Sequence, residues 1–334
     1  VAFAGVAAAL WFWVLPNIAA YRADLAALMS DALGQRVELE AVSANWQSLR
    51  PEVRMRGLRL YDREGRSALY LPALEGEFAW RSLLLLEPRF SQIRLRGLTL
   101  AVRRAGDGHY YIGGVPVDPA APDSGFAAWA LRQGEIDIAD ATLTWQDEAR
   151  GAPPLLLAGV DLKLVNGLRR HRLTLAATPP AALARPLALA VEFRGRVDEP
   201  ASWVGTLTAE TAGAALARLA PWAGQPRWPR AGWSSLRLDA ARADGRVQRA
   251  RAAFDARGLE LTLGDAQPPW RLAHARGALV WQDAADGRLL GVERLRLAAS
   301  GPLAAPFDLA WGWQGDTRRL RARALELAPL ARLA

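Results

Sequence analysis

Ser91-Gln92-Ile93-Arg94-Leu95-Arg96-Gly97-Leu98-Thr99-Leu100-Ala101-Val102-Arg103 sets the grammar for the whole chain. Ile93 and Leu95 alternate with Arg94 and Arg96, a period of two that marks a strand with one dry and one wet face. At Gly97 the apolar parity changes, and Leu98, Leu100 and Val102 carry the pattern onward. A parity change at a glycine reads as a β-bulge or a tight bend, because one extra residue re-aims every later side chain.

The same recipe recurs. Val53 and Met55 precede Gly57, then Leu58 and Leu60; Leu155 and Leu157 precede Gly159, then Val160, Leu162 and Leu164; Phe254 and Ala256 precede Gly258, then Leu259, Leu261 and Leu263. Two looser copies lack the glycine: Ile136 and Ile138 shift to Leu143 and Trp145, and Leu290 and Val292 shift to Leu295 and Leu297. The copies are irregularly spaced, which excludes a strict solenoid repeat. An ordinary antiparallel protein reusing one favourable strand pattern also fits this periodicity.

The 334 residues are enough for two ordinary domains or one elongated one. The net charge is +8, and the basic residues are almost all arginine, with Lys163 the sole lysine. That charge is spread along the strands rather than gathered in one face or tail, which argues against a nucleic-acid partner. Cysteine is absent, so disulfides, thiolate metal sites and cysteine nucleophiles are excluded.

Residues 1–20 are almost wholly apolar and read as a membrane anchor truncated at its start, with Val6, Leu10, Trp11, Phe12, Trp13 and Leu15 facing lipid and the two tryptophans suiting an interfacial belt. A cleaved signal peptide ending near Ala20 is the competing reading, but Ile18-Ala19-Ala20 is a poor small-x-small site. Residues 21–34 form an amphipathic helix stopped at Gly34, whose apolar stripe we expect to cap the first sheet. A first β module then spans residues 35–118, including strands at Ser67 to Leu71 and Glu75 to Trp80 and a short helix at Arg81 to Leu86. Residues 119–134 serve as linker and short helix. Residues 135–334 form a second β module, expected to continue beyond the sequence, with a small helix at Thr211 to Leu219. A sheet that is dry on one face must cover that face. The downstream strands far outnumber the helices, so either two sheets close as a sandwich or one long sheet keeps an apolar trough that a ligand can fill.

The order membrane helix, amphipathic helix ending in glycine at Leu33-Gly34-Gln35-Arg36-Val37, Asn45-Trp46 before Arg50-Pro51-Glu52, and then the glycine-centred strand Met55 to Leu60 resembles the N-terminus of AsmA-like envelope proteins of the YhdP type. Trp80-Arg81-Ser82-Leu83-Leu84 through Pro88, Ile93 to Val102, Gly108 to Gly113, and Trp145-Gln146-Asp147 with its echo Trp281-Gln282-Asp283 extend the resemblance over residues 1 to about 300. The resemblance implies a mainly β fold: an elongated, curved antiparallel structure with a taco-like groove, an N-terminal transmembrane helix and a few short capping helices. It implies a single-pass protein of a Gram-negative inner membrane, with its bulk in the periplasm. The implied role is the N-terminal part of a bridge-like conduit that moves phospholipid to the outer membrane. Its partners would be the membrane, phospholipid acyl chains and other envelope proteins. The candidate groove residues are Val37, Leu39, Val53, Met55, Leu58, Leu60, Ile93, Leu95, Leu98, Leu100, Val102, Ile136, Ile138, Leu143, Val160, Leu162 and Leu164. YhdP-type proteins are far longer than this sequence. A non-enzymatic envelope scaffold built as a closed β-sandwich is the alternative.

Enzyme chemistry has little to stand on. His109, His171 and His274 lack ligand spacing, and His109 and His171 read as solvated surface residues. No nucleophile elbow, phosphate loop or dinucleotide fingerprint stands out. The acidic pairs Asp137 with Asp140 and Asp283 with Asp286 read as strand-end and turn residues. We therefore expect no enzyme activity, catalytic residue, metal or cofactor.

Overall fold

Every one of the six parity changes coincides with a residue in the left-handed region. In the computed structural model, Gly57, Gly97, Gly159 and Gly258 have φ between 51° and 66°, while the glycine-free copies turn on Asp140 and Arg294 at 53° and 49°. The two non-glycine positions are held from the next strand: the Asp140 N–H donates to Asp161 Oδ1 at 2.9 Å and the Arg294 N–H to Asp308 Oδ1 at 2.7 Å. A short carboxylate thus fixes a backbone donor that the bulge removes from the ladder.

The structure describes residues 17–47, 50–62, 65–79, 89–117, 125–196, 199, 202–225, 227–262, 268–284, 287–315 and 317–324. The anchor residues Val6, Leu10, Trp11, Phe12, Trp13 and Leu15 and the expected helix at Arg81 to Leu86 lie outside the described residues. Among the described residues no helix is long and apolar enough to cross a membrane. The chain is mainly β and divides into two units, residues 1–177 and 178–334.

In the first unit a 3-10 turn at Ile18–Tyr21 leads into α1 (Arg22–Leu33), which ends at Gly34 with φ 64°. Its stripe is only partly used: Leu25 and Met29 are half-buried, whereas Leu28 is exposed. The strands are β1 (Val37–Glu38), β2 (Ala41–Gln47), β3 (Arg50–Tyr61), β4 (Ser67–Phe78), β5 (Phe90–Arg96), β6 (Thr99–Arg104), β7 (Tyr110–Ile112), β8 (Val115–Val117), β9 (Glu135–Asp147), β10 (Leu155–Asn166) and β11 (Arg170–Thr178). β1 and β2 lie end to end along β3, and β5 and β6 end to end between β4 and β9. The stretch Ser91 to Arg103 is therefore one strand creased at Gly97.

Two expectations need correction. Ser67 to Leu71 and Glu75 to Phe78 are not separate strands but parts of β4, which runs through Pro72, and Trp80, the expected end of the second strand, lies outside the described residues. Leu71 pairs with Leu58 and Ala73 with Arg56, so Pro72 stands opposite the bulge at Gly57, where no ladder donor is required. The sheet is also not wholly antiparallel, since β9 runs parallel to β5 and β6. Parallel neighbours need a long crossover, here formed by the β7–β8 hairpin and α2 (Gly125–Arg132), which returns across the apolar face.

The second unit is an antiparallel meander. β12 (Leu187–Arg194), β13 (Val204–Ala215), β14 (Ala231–Ala243), β15 (Arg246–Leu261), β16 (Trp270–Ala284), β17 (Gly287–Ala298), β18 (Phe307–Gln314) and β19 (Thr317–Arg323) each pair with the next. The helix expected at Thr211 to Leu219 starts later, as α3 (Leu216–Ala223), because Thr211 to Ala215 still pair with β14.

Candidate functional site

Side chains opposite one another in successive strands share a face. In the first unit one such row reads Val42, Met55, Leu74, Leu95, Ile138, Leu162. Beside it runs Ala44, Val53, Gly76, Ile93, Ile136, Leu164. Beyond the crease Val37, Leu60, Leu69, Leu100, Leu143 and Leu157 continue the same face, with Leu58 opposite Leu71, Val102 opposite Trp145 and Val160 opposite Ala141. Leu39 and Leu98 sit at the interruptions of their strands and are buried. The structure thus gathers the candidate residues, from Val37 through Leu164, onto one apolar surface. The bulges keep it continuous: were Gly97 in regular pleat rather than bulged, Leu98, Leu100 and Val102 would point away from Ile93 and Leu95.

This surface is largely closed in the first unit. Val37, Val53, Leu58, Leu60, Ile93 and Leu98 are buried, and Met55, Leu95, Leu100, Ile138, Leu143 and Leu162 half-buried. α2 covers one end, placing Trp129, Ala130 and Leu131 against Ile93, Ile136 and Leu164. Polar bonds hold that helix: buried Gln133 accepts from the Phe90 N–H at 2.8 Å, and Asn166 Nδ2 donates to the Ala130 and Gln133 carbonyls at 3.0 Å each. His171, expected at the surface, is instead buried, its Nδ1 2.7 Å from Asn166 Oδ1. Burial pushes its pKa below the usual histidine value, which keeps the ring neutral.

The second unit carries a wider apolar face that our candidate residues stopped short of. Leu189, Ala209, Leu238, Ala252, Leu279, Val292, Leu309 and Ala322 form one row across all eight strands. Val191, Leu207, Ala240, Ala250, Trp281, Leu290, Trp311 and Leu320 form the next. The clean alternation of Leu187, Leu189, Val191 and Phe193 signalled this face in the sequence. α3 covers one end, where Leu216 packs on the buried cluster Ala256, Leu259, Leu272 and Ala275. Away from that helix, Leu236, Leu279, Leu290, Trp311 and Leu320 are between 44% and 63% exposed.

The opposite faces are ionic. Arg54 contacts Glu52 at 3.1 Å and Glu75 at 3.8 Å, Lys163 contacts Glu135 at 2.9 Å, and Arg237 contacts Glu210 at 3.1 Å. The Lys163 bond holds the Glu135 carboxyl below its usual range and lifts Lys163 above its own. Much of the arginine excess is thus engaged by neighbouring carboxylates on the wet face.

In each of the echoed Trp-Gln-Asp stretches the tryptophan lies beside another aromatic ring and the aspartate beside an arginine. Trp145 stacks near Tyr110 with ring centroids 6.2 Å apart, and Trp281 lies 5.6 Å from Trp313. Asp147 is fully buried, 3.1 Å from Arg150 and 3.7 Å from Arg104, while Asp283 is 3.1 Å from Arg288. These carboxylates have structural partners. No group of three or more metal-ligating side chains occurs among the described residues.

The family described as YhdP protein matches residues 1–334. The chain belongs to the YhdP family. No curated protein and no solved structure matches it. Membership in the YhdP family fits an envelope protein of the lipid-transport kind, and the strand-rich architecture agrees with the resemblance drawn from the glycine-centred motifs.

Proposed function

We propose that this chain is the inner-membrane-anchored, periplasmic N-terminal part of a conduit that carries phospholipid acyl chains toward the outer membrane, without enzyme activity or cofactor. Residues 1–20 would hold it in the inner membrane. The observation that carries this reading is the eight-strand apolar face of the second unit, left half-exposed beyond α3. Soluble proteins cover such faces, since burying a leucine side chain contributes about 1.5–3 kcal/mol. A large uncovered one marks an interaction site. An acyl chain gains about 0.8 kcal/mol per CH₂ on leaving water but forfeits a similar amount on leaving a bilayer. Transfer is therefore near neutral, and what the protein must supply is an unbroken dry path rather than a tight pocket. The row from Leu189 to Ala322 has that form.

The test is native mass spectrometry with lipid extraction on the full chain, purified in a detergent that does not mimic phospholipid. Phospholipid retained by the native chain, and lost in Leu279→Glu and Leu290→Glu variants that still fold, is the expected result. A folded, lipid-free chain would replace the conduit with the scaffold reading. Leu100→Glu and Leu162→Glu extend the test to the first unit.

A further inference from the structure

On the polar face of the second unit, away from the apolar rows, three strands set a compact array. Trp233 stands opposite Arg257 and Arg257 opposite His274; one step along, Ser235 stands opposite Asp255 and Asp255 opposite Arg276. β13 bulges between Thr211 and Ala214, and a cleft of about 420 Å³ opens there, floored by Ala212 and Gly213 and walled by Arg185, Trp233, Asp255 and Arg257. Arg185 is fixed by its backbone: its N–H donates to the Gly213 carbonyl at 2.7 Å, and its own carbonyl accepts from Thr211 Oγ1 at 3.2 Å.

The charges in this cleft are unevenly satisfied. Asp255 is occupied by His274 Nε2 at 2.7 Å and lies 3.9 Å from Arg276. The Arg185 and Arg257 guanidinium groups make no ion pair among the described residues, unlike the arginines of the ionic ladders, and both side chains are exposed. Trp233 leaves 47% of its surface open beside them. Two unpaired guanidinium forks suit an oxyanion, and an exposed indole suits a flat or apolar group attached to it.

We propose that this cleft binds a phosphate ester, its phosphoryl oxygens on Arg185 and Arg257 and its organic group on the Trp233 ring. The site is independent of the apolar face and does not rest on the conduit reading. The ester is either the headgroup of a membrane phospholipid or a soluble metabolite; the phosphoryl recognition is common to both.

The experiment is calorimetric titration of the full chain, held in dodecyl maltoside micelles, which carry no phosphate, with inorganic phosphate and with phenyl phosphate. Saturable binding of both is expected, tighter for phenyl phosphate. Arg185→Ala and Arg257→Ala should each weaken both by about tenfold or more, the size of one lost charge-assisted bond. Trp233→Ala should weaken phenyl phosphate to the level of inorganic phosphate. Gly213→Val fills the floor without backbone strain, because a Cβ there would meet Arg185 Cγ at 3.5 Å and the Trp233 ring at 3.7 Å, and it should abolish binding in a folded chain. Adding phosphatidylglycerol to the micelles separates the sources: competition with phenyl phosphate assigns the lipid headgroup, and unchanged affinity assigns a soluble ester. No saturable binding to the native chain, or equal affinity in the two arginine variants, overturns the proposal.

Discussion

The two units are written in one strand grammar and finish it differently. In the first, a parallel crossover brings α2 back over the sheet, and most of the apolar face is buried. In the second, a plain meander returns only the short α3, so one end of the face is covered and the rest stays half-exposed. One strand pattern thus yields a conventional core in one unit and an unfinished one in the other. What separates them is connectivity: a long crossover must pass over the sheet, whereas tight hairpins have nothing to lay on it.

Removing matched groups from the two units should break or sharpen that contrast. The largest effect is expected at the apolar faces. Leu58→Ala, at 5% exposure, should cost about 2–5 kcal/mol, and Leu290→Ala, at 51%, less than about 1 kcal/mol. Urea midpoints of the two variants decide this, and a large loss at Leu290 would mean that something does cover that face. Next come the echoed aspartates. Asp147→Ala removes the acceptor for the Arg150 N–H and the Arg150 guanidinium at a fully buried position and should cost about 2–3 kcal/mol, whereas Asp283→Ala, at a partly solvated pair, should cost about 1 kcal/mol or less. Hydrogen exchange resolved by strand reads both, and equal losses would erase the difference between the units.

A pH effect should follow in the first unit. The folded-state pKa of His171 is depressed, so as pH falls below the ordinary histidine value the unfolded chain binds the proton first. The stabilisation is complete above that value and is lost as pH falls through the window beneath it. Protection in β9 and β10 around Asn166 should therefore weaken on acidification, and His171→Gln should flatten the dependence. The smallest effects lie at the bulges. Gly258→Ala meets no neighbouring atom within 4 Å, so only its left-handed backbone is penalised, by about 1 kcal/mol; Arg294→Gly should gain a similar amount. Thermal midpoints shifting in opposite directions would confirm the pair.

The sequence made the strands legible wherever one side chain set the periodicity. All six parity changes were readable, and the candidate residues from Val37 to Leu164 share a face because period-two patterning records facing directly. It does not record partners. The parallel pairing of β9 depends on a path through space rather than on local preference. Pro72 reads as a break until the bulge opposite it is known. His171 looked solvated beside Arg169, Arg170 and Arg172, since its burial beside Asn166 comes from tertiary placement. The openness of the second unit's face was beyond any pattern of residues, because apolar alternation is the same whether or not anything lies on top.

One consequence of the bulges concerns insertions and deletions. Each strand that carries one is spelled in two phases, with Gly57, Gly97, Asp140, Gly159, Gly258 or Arg294 as the punctuation between them. Deleting Arg96 while the bulge stays at Gly97 would bring Thr99, Ala101 and Arg103 into the phase of Ile93 and send Leu98, Leu100 and Val102 to water, whereas deleting Gly97 itself would leave a plain period of two. These strands should absorb many substitutions yet fail at a single deletion, as a coding sequence fails at a frameshift.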